Sequence, residues 1–144
     1  MTRGFEVVSA FAGQDIHLPV RKTEKSAGYD MESAADVDLL PGKVTVIPTG
    51  VKAYMGAGEY LSIHIRSSMG IKHGIMLANS TGIIDADYPD NEGHIMVALL
   101  NMTDKVFHVN KGDRIAQGIF TAYLKADDDN ASGKREGGIG STGA

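Results

Sequence analysis

The sequence predicts an all-β subunit, a jelly-roll-like barrel or sandwich, followed by a flexible glycine-rich C-terminal tail. Three observations predict it. Several short runs alternate apolar and polar residues with period two. Glycine is abundant, at 18 of 144 residues, and turn residues recur every 8–12 positions. No 12-residue window carries an apolar stripe at i, i+3, i+4, i+7 with caps, so no helix is expected to organise the fold.

The elements follow in chain order. Lys43-Val-Thr-Val-Ile47 reads as a strand after the turn Pro41-Gly42. Met55-Gly-Ala-Gly58 is a turn. In Glu59-Tyr-Leu-Ser-Ile-His-Ile65, Leu61, Ile63 and Ile65 share one face, while Tyr60, Ser62 and His64 share the other. His94-Ile-Met-Val-Ala-Leu-Leu100 reads as a more continuous apolar strand. Lys105-Val-Phe-His-Val109 is another strand, Asn110-Lys-Gly112 a turn, and Arg114 to Tyr123 a last long strand. Residues 1–124 form the expected core. Residues 125–144 lose all apolar period: an acidic linker, Lys125 to Gly133, precedes four glycines among residues 137–143. This tail could extend up to about 66 Å, far enough to reach a neighbouring subunit.

Composition removes several functions. Apolar residues make 42% and charged residues 22%, enough for a core that buries roughly 68% of the unfolded surface. With no cysteine there is no disulfide scaffold, thiolate metal site or thiol nucleophile. No 18-residue apolar run and no signal-peptide pattern are present, so no membrane partner and a cytoplasmic location are expected. A net charge of −4 argues against duplex nucleic acid as partner. It leaves room for a small anion held by a local cluster of arginine and backbone amides.

Candidate chemistry lies in three places. Arg66-Ser-Ser-Met-Gly70 stands where a strand ends and a turn begins, and offers a guanidinium fork with two hydroxyls to an oxyanion. Its bland alternative is a solvated arginine at a strand end. Gly82-Ile-Ile-Asp-Ala-Asp-Tyr88 places Asp85 and Asp87 two apart, on one face if the strand continues. Such carboxylates can bind a metal or tune each other, or simply form an acidic turn. Asn79 could cap a turn or read a base edge. The tail carries Arg135, Ser141 and Thr142 as donors, and is either a frayed end or a segment that orders on a ligand. The five histidines show no ligand spacing.

Five segments in order resemble the five motifs of the trimeric dUTPases. They are Ala27-Gly-Tyr-Asp-Met31, Arg66-Ser-Ser-Met-Gly70, Gly82-Ile-Ile-Asp-Ala-Asp-Tyr88, Gly112-Asp-Arg-Ile-Ala-Gln117 and Gly137-Gly-Ile-Gly-Ser-Thr-Gly143. The resemblance implies a homotrimer with active sites shared between subunits. It implies hydrolysis of dUTP to dUMP and pyrophosphate with Mg2+, keeping uracil out of DNA and supplying dUMP for thymidylate synthesis.

By the same resemblance, Asp85 is the general base that activates the attacking water. Tyr88 packs against the deoxyribose and excludes a 2′-hydroxyl. Asn79, Gly82 and Ile95 belong to a hairpin that holds uracil by backbone groups. Arg66, Ser67, Ser68 and Gln117 bind phosphates, joined by Arg135, Ser141 and Thr142 from the tail. Asp30 stands near the water shell of a magnesium ion held mainly by the substrate phosphates. Arg114 is expected to pair with a neighbouring carboxylate.

Three departures stand out. Ile139 replaces the aromatic lid over uracil. Lys134 and Arg135 both stand near the place of the tail arginine. The segment Tyr88 to Ile95 is longer than usual, which implies a wider hairpin tip. Two other classes compete: a dCTP deaminase of the same superfamily, which would release ammonia, and a nucleotide-sensing protein that binds without releasing pyrophosphate.

Overall fold

The computed structural model describes residues 2–88 and 92–133 of the chain. The strands are β1 (Gly4–Val7), β2 (Tyr29–Glu32), β3 (Val37–Leu39), β4 (Val44–Pro48), β5 (Val51–Tyr54), β6 (Glu59–His64), β7 (Ile75–Leu77), β8 (Gly82–Asp85), β9 (Met96–Asn101), β10 (Phe107–Val109) and β11 (Arg114–Ala122). The described residues also include an α-helix, α1 (Ser67–His73), and a 3-10 turn at Ser9–Phe11. The chain is all-β, as expected.

The strands pair antiparallel in sheets ordered β1-β5, β10-β3, β2-β11-β6-β8 and β4-β9-β7. The period-two reading of β6 holds: Leu61 and Ile63 are buried, and Ile65, just past the strand, packs on the same core. Burying each such side chain contributes about 1.5–3 kcal/mol. β9 buries Val97 and Leu99 while Met96, Ala98 and Leu100 on its other face stay half-exposed. Asn101 ends β9 fully buried. Its amide donates to the carbonyls of Leu39 (2.8 Å) and Lys105 (2.7 Å), and its Oδ1 accepts from the Thr103 amide (2.9 Å). A buried polar group is tolerable only when bonded in this way.

Two features differ from expectation. Arg66-Ser-Ser-Met-Gly70 leads into a helix rather than a turn. α1 has seven residues and buries only Met69, too short to show a helical stripe; it stops at Gly74, left-handed at φ 64°. Asp85 ends β8 and Asp87 lies in the following turn, so the two do not share a strand face. Among the described residues, no helix is long and apolar enough to cross a membrane.

Candidate active site

β11 runs between β2 and β6, and this order builds a polar cradle. Gln117 is the register partner of Asp30 on β2 and of His64 on β6, so all three share a face. Where β6 ends, Arg66 and the first turn of α1 bring Ser67 and Ser68 beside them. Lys22, Ser26, Gly28, Asp30, Arg66, Ser67, Ser68 and Gln117 line one cavity of about 310 Å³. Four candidate phosphate ligands and Asp30, read from three separate segments, thus meet in one place.

The cradle is cross-braced. The Asp30 carboxylate lies between Arg66, with Nε 3.6 Å from Oδ1, and Arg114, with Nη1 3.5 Å from Oδ2. The expected pairing of Arg114 is therefore present. Arg66 Nη1 also donates to the Arg114 carbonyl at 3.4 Å, and Gln117 Nε2 donates to the Ile65 carbonyl at 3.4 Å. A Cβ at Gly28 would stand 2.2 Å from Gln117 Oε1, so any larger residue would push that side chain from its place. A single carboxylate against two arginines fits a magnesium ion that keeps its own waters and is carried by phosphates. It does not fit a protein-only metal cage, and no three-ligand cluster occurs among the described residues.

Asp85 stands elsewhere, half-buried at the end of edge strand β8, opposite Tyr60 on β6. Tyr60 faces Thr121 on β11, four residues beyond Gln117, so Asp85 and Gln117 share the outer face of the sheet. Four residues along β11 and two strands across place them on the order of 16 Å apart within one chain. Tyr88 lies in the turn after β8, and its hydroxyl donates to the His94 carbonyl at 3.2 Å.

Two expectations for the base end need correction. β8 pairs with β6, whereas β9 pairs with β4 and β7, so the two strands flanking the long connection form no ladder with each other. The backbone of Ile95 is already used: its amide donates to the Val51 carbonyl, and its carbonyl accepts from the Thr49 amide and hydroxyl. Its side chain is fully buried in the core, away from any surface site. Gly82 is buried against Ile63, and Asn79 is exposed in the turn between β7 and β8.

The long connection is held at its far end. Glu92 accepts hydrogen bonds from Lys52 Nζ and from the amide and hydroxyl of Ser9. These donors, Lys52 first, push its carboxyl down to about 2. His94 Nε2 accepts from the Gly50 amide at 2.8 Å, and its ring packs on Phe11 at 5.0 Å. Burial pushes this imidazole below its ordinary value, which favours the neutral form that the Gly50 bond needs. The expectations for Lys134, Arg135, Ile139, Ser141 and Thr142 lie outside the described residues.

Reading the sequence missed Lys22 and Ser26. They sit in a polar stretch, Arg21-Lys-Thr-Glu-Lys-Ser26, with no pattern to single them out. The chain's continuity into Gly28 and the antiparallel bridge between Val20 and Asp30 bring that stretch to the cradle.

Comparison with known proteins accords with this geometry. The dUTPase family matches residues 14–143. The chain is 50% identical over 147 residues to the deoxyuridine 5'-triphosphate nucleotidohydrolase of Lactococcus lactis subsp. lactis (strain IL1403), covering 99% of this chain and 98% of that protein. The crystal structure of dUTPase from Streptococcus mutans superposes with a TM-score of 0.80 at 42% identity, covering 86% of this chain and 98% of that one. A mutant dUTPase from phage phi11 of S. aureus, described with a coordinated structural Mg(II) ion, shares the fold: TM-score 0.77, 21% identity, 94% of this chain and 100% of that one.

Proposed function

The chain belongs to the dUTPase family, and from that premise we propose that it hydrolyses dUTP to dUMP and pyrophosphate, with Asp85 activating the attacking water. The observation that carries the reading is the cradle itself: Arg66, Ser67, Ser68 and Gln117 line one cavity with Asp30. Arginine and hydroxyl donors in that density suit a polyphosphate.

Asp85 accepts a proton as the water oxygen bonds to the α-phosphorus. The bond from that phosphorus to the bridging oxygen breaks on the opposite side, and pyrophosphate leaves with the electron pair. The cradle holds the departing phosphates, so negative charge develops against fixed donors. Asp30 would hold the water shell of a magnesium ion arriving with the nucleotide, and that ion would supply neutralisation of phosphate charge. Tyr88, tied through its hydroxyl to the His94 carbonyl, presents its ring to the sugar. Uracil is read by backbone near Asn79 and Gly82. The tail, with Arg135, Ser141, Thr142 and Ile139, closes over the nucleotide.

The distance between Asp85 and the cradle bears on assembly. About 16 Å is too far for one nucleotide's α-phosphate to meet both on the same chain. Asp85 of one copy therefore serves the cradle of another, in a homotrimer with shared sites. Such an enzyme keeps uracil out of DNA and provides dUMP for thymidylate synthesis.

The test is pyrophosphate release from dUTP, dTTP, dCTP and UTP in parallel, with and without Mg2+, together with the sedimentation mass. Turnover of dUTP alone, by a trimer, is expected. Ammonia from dCTP would point to a deaminase instead, and binding without pyrophosphate release to a nucleotide sensor.

A further inference from the structure

The loop between Val20 and Gly28 is built more tightly than its composition requires. Arg21 Nη1 donates to three carbonyls of its own loop, those of Thr23 (3.4 Å), Glu24 (2.6 Å) and Ser26 (3.0 Å). Its guanidinium lies 5.9 Å from the centre of the Tyr29 ring. The Thr23 and Ser26 hydroxyls bond each other, and the Ser26 amide donates to the Thr23 carbonyl. At the loop's start, the Asp30 amide donates to the Val20 carbonyl at 2.8 Å. The charge of Arg21 is therefore engaged within the loop, and the loop is pinned to the strand that carries Asp30.

Lys22, on this loop, lines the same cavity as Arg66 and Gln117. Arg66, the other cation lining that cavity, is compromised. Arg66 and Arg114 share the carboxylate of Asp30. Lys22, by contrast, makes no ion pair among the described residues. An ammonium beside Arg66, whose charge Asp30 already offsets, raises the positive charge of one small cavity. Such an arrangement gains only when a polyanion enters it.

Resting on the dUTP reading above, we propose that Lys22 is a phosphate-binding residue of this enzyme. It grips the part of the nucleotide that leaves as pyrophosphate, and Arg21 acts as the positioning residue that holds it there. Lys22 contributes binding to dUTP and to pyrophosphate but little to dUMP. As a flexible point charge, it contributes through charge more than through geometry.

The test compares the wild-type chain with Lys22→Met, Lys22→Arg and Arg21→Met. Binding of inorganic pyrophosphate and of dUMP is measured by calorimetry at two salt concentrations, alongside KM and kcat for dUTP. Lys22→Met should weaken pyrophosphate binding about fivefold to twentyfold, the range for one charge-assisted contact near solvent. It should raise KM for dUTP similarly, leave dUMP within twofold, and flatten the salt dependence. Lys22→Arg should restore most of the loss. Arg21→Met should weaken pyrophosphate binding less, with unchanged thermal stability of the core. Pyrophosphate affinity unchanged in Lys22→Met overturns the proposal. So does an equal loss for dUMP, which would make the residue a general support of the fold. Because the pyrophosphate measurement needs no turnover, it separates this proposal from the catalytic reading. A chain that binds pyrophosphate through Lys22 yet does not hydrolyse dUTP would sink the catalytic reading and keep the cradle.

Discussion

The cradle and the Asp85 corner lie on one sheet face, yet they are built in opposite ways. The cradle sits on paired strands, with Asp30 braced between two arginines and Gln117 packed against Gly28. The corner sits on an edge strand whose Ile83, on the same face as Asp85, is left open at 63% exposure. The cradle is complete in one chain because its anchors are hydrogen-bonded neighbours. The corner presents the surface that a second copy would cover, since exposed apolar groups at a sheet edge gain from burial. On the proposed reading, the phosphate grip is assembled within a subunit, while its alignment with Asp85 needs a second copy.

The sharpest way to break this comparison is Asp85→Asn. It keeps the shape of the corner and removes the proton acceptor, so kcat should fall about 10²–10⁴-fold with dUTP binding largely intact. Near-normal turnover in the purified variant would take Asp85 out of that role. On the cradle side, Gly28→Ala drives a methyl into Gln117 Oε1. It should raise KM for dUTP about tenfold or more while thermal stability changes little, because the conflict is with a polar side chain at the cavity wall. An unchanged KM would show that Gln117 does not touch phosphate.

Smaller effects test how the corner is shaped. Tyr88→Ala should narrow the preference for dUTP over UTP in kcat/KM by about tenfold, since space opens under C2′. An unchanged ratio in a folded trimer would assign sugar selection elsewhere. The connection behind Tyr88 should respond to pH. His94 is pushed below its ordinary value by burial, so in the folded chain it resists the proton that the unfolded chain accepts from about pH 6.5 downward. Glu92, held down to about 2, contributes stability above the ordinary carboxyl range that is lost as pH falls from about 4.5 toward 2. Both make the chain less stable on acidification, in two successive windows. Tm measured from pH 7.5 to 5 should therefore fall, and His94→Gln, which can still accept the Gly50 amide, should flatten that fall. An equal slope in the variant would move the titration to another group.

Legibility followed length and repetition. β6 is visible because six residues repeat the period, β11 by its length, and β4, β9 and β10 because apolar runs stand beside turn residues. β2, β7 and β8 span only three or four residues, too short for alternation to register. α1 hid for a related reason, since a seven-residue helix with one buried side chain has no stripe. Arg66, Ser67, Ser68, Gln117 and Asp30 were legible as family motifs, and the cavity unites them. Ile95 was misread because an apolar residue beside a motif looks the same whether it faces a ligand or the core.

The order of residues along the chain determined the all-β class, the absence of thiol chemistry, the family and the identity of the charged groups. These depend on residue type and short spacing, which the chain carries locally. Which groups meet was decided only by the tertiary structure. Strand order placed β11 between β2 and β6 and so set Gln117 beside Asp30, residues 87 positions apart in sequence. The loop folded back by the Val20–Asp30 bridge puts Lys22 in the cradle, from a stretch that carries no motif. The same strand order left Asp85 at the far edge. Register and pairing are long-range choices, made by the burial of the shared core, and no local pattern encodes them.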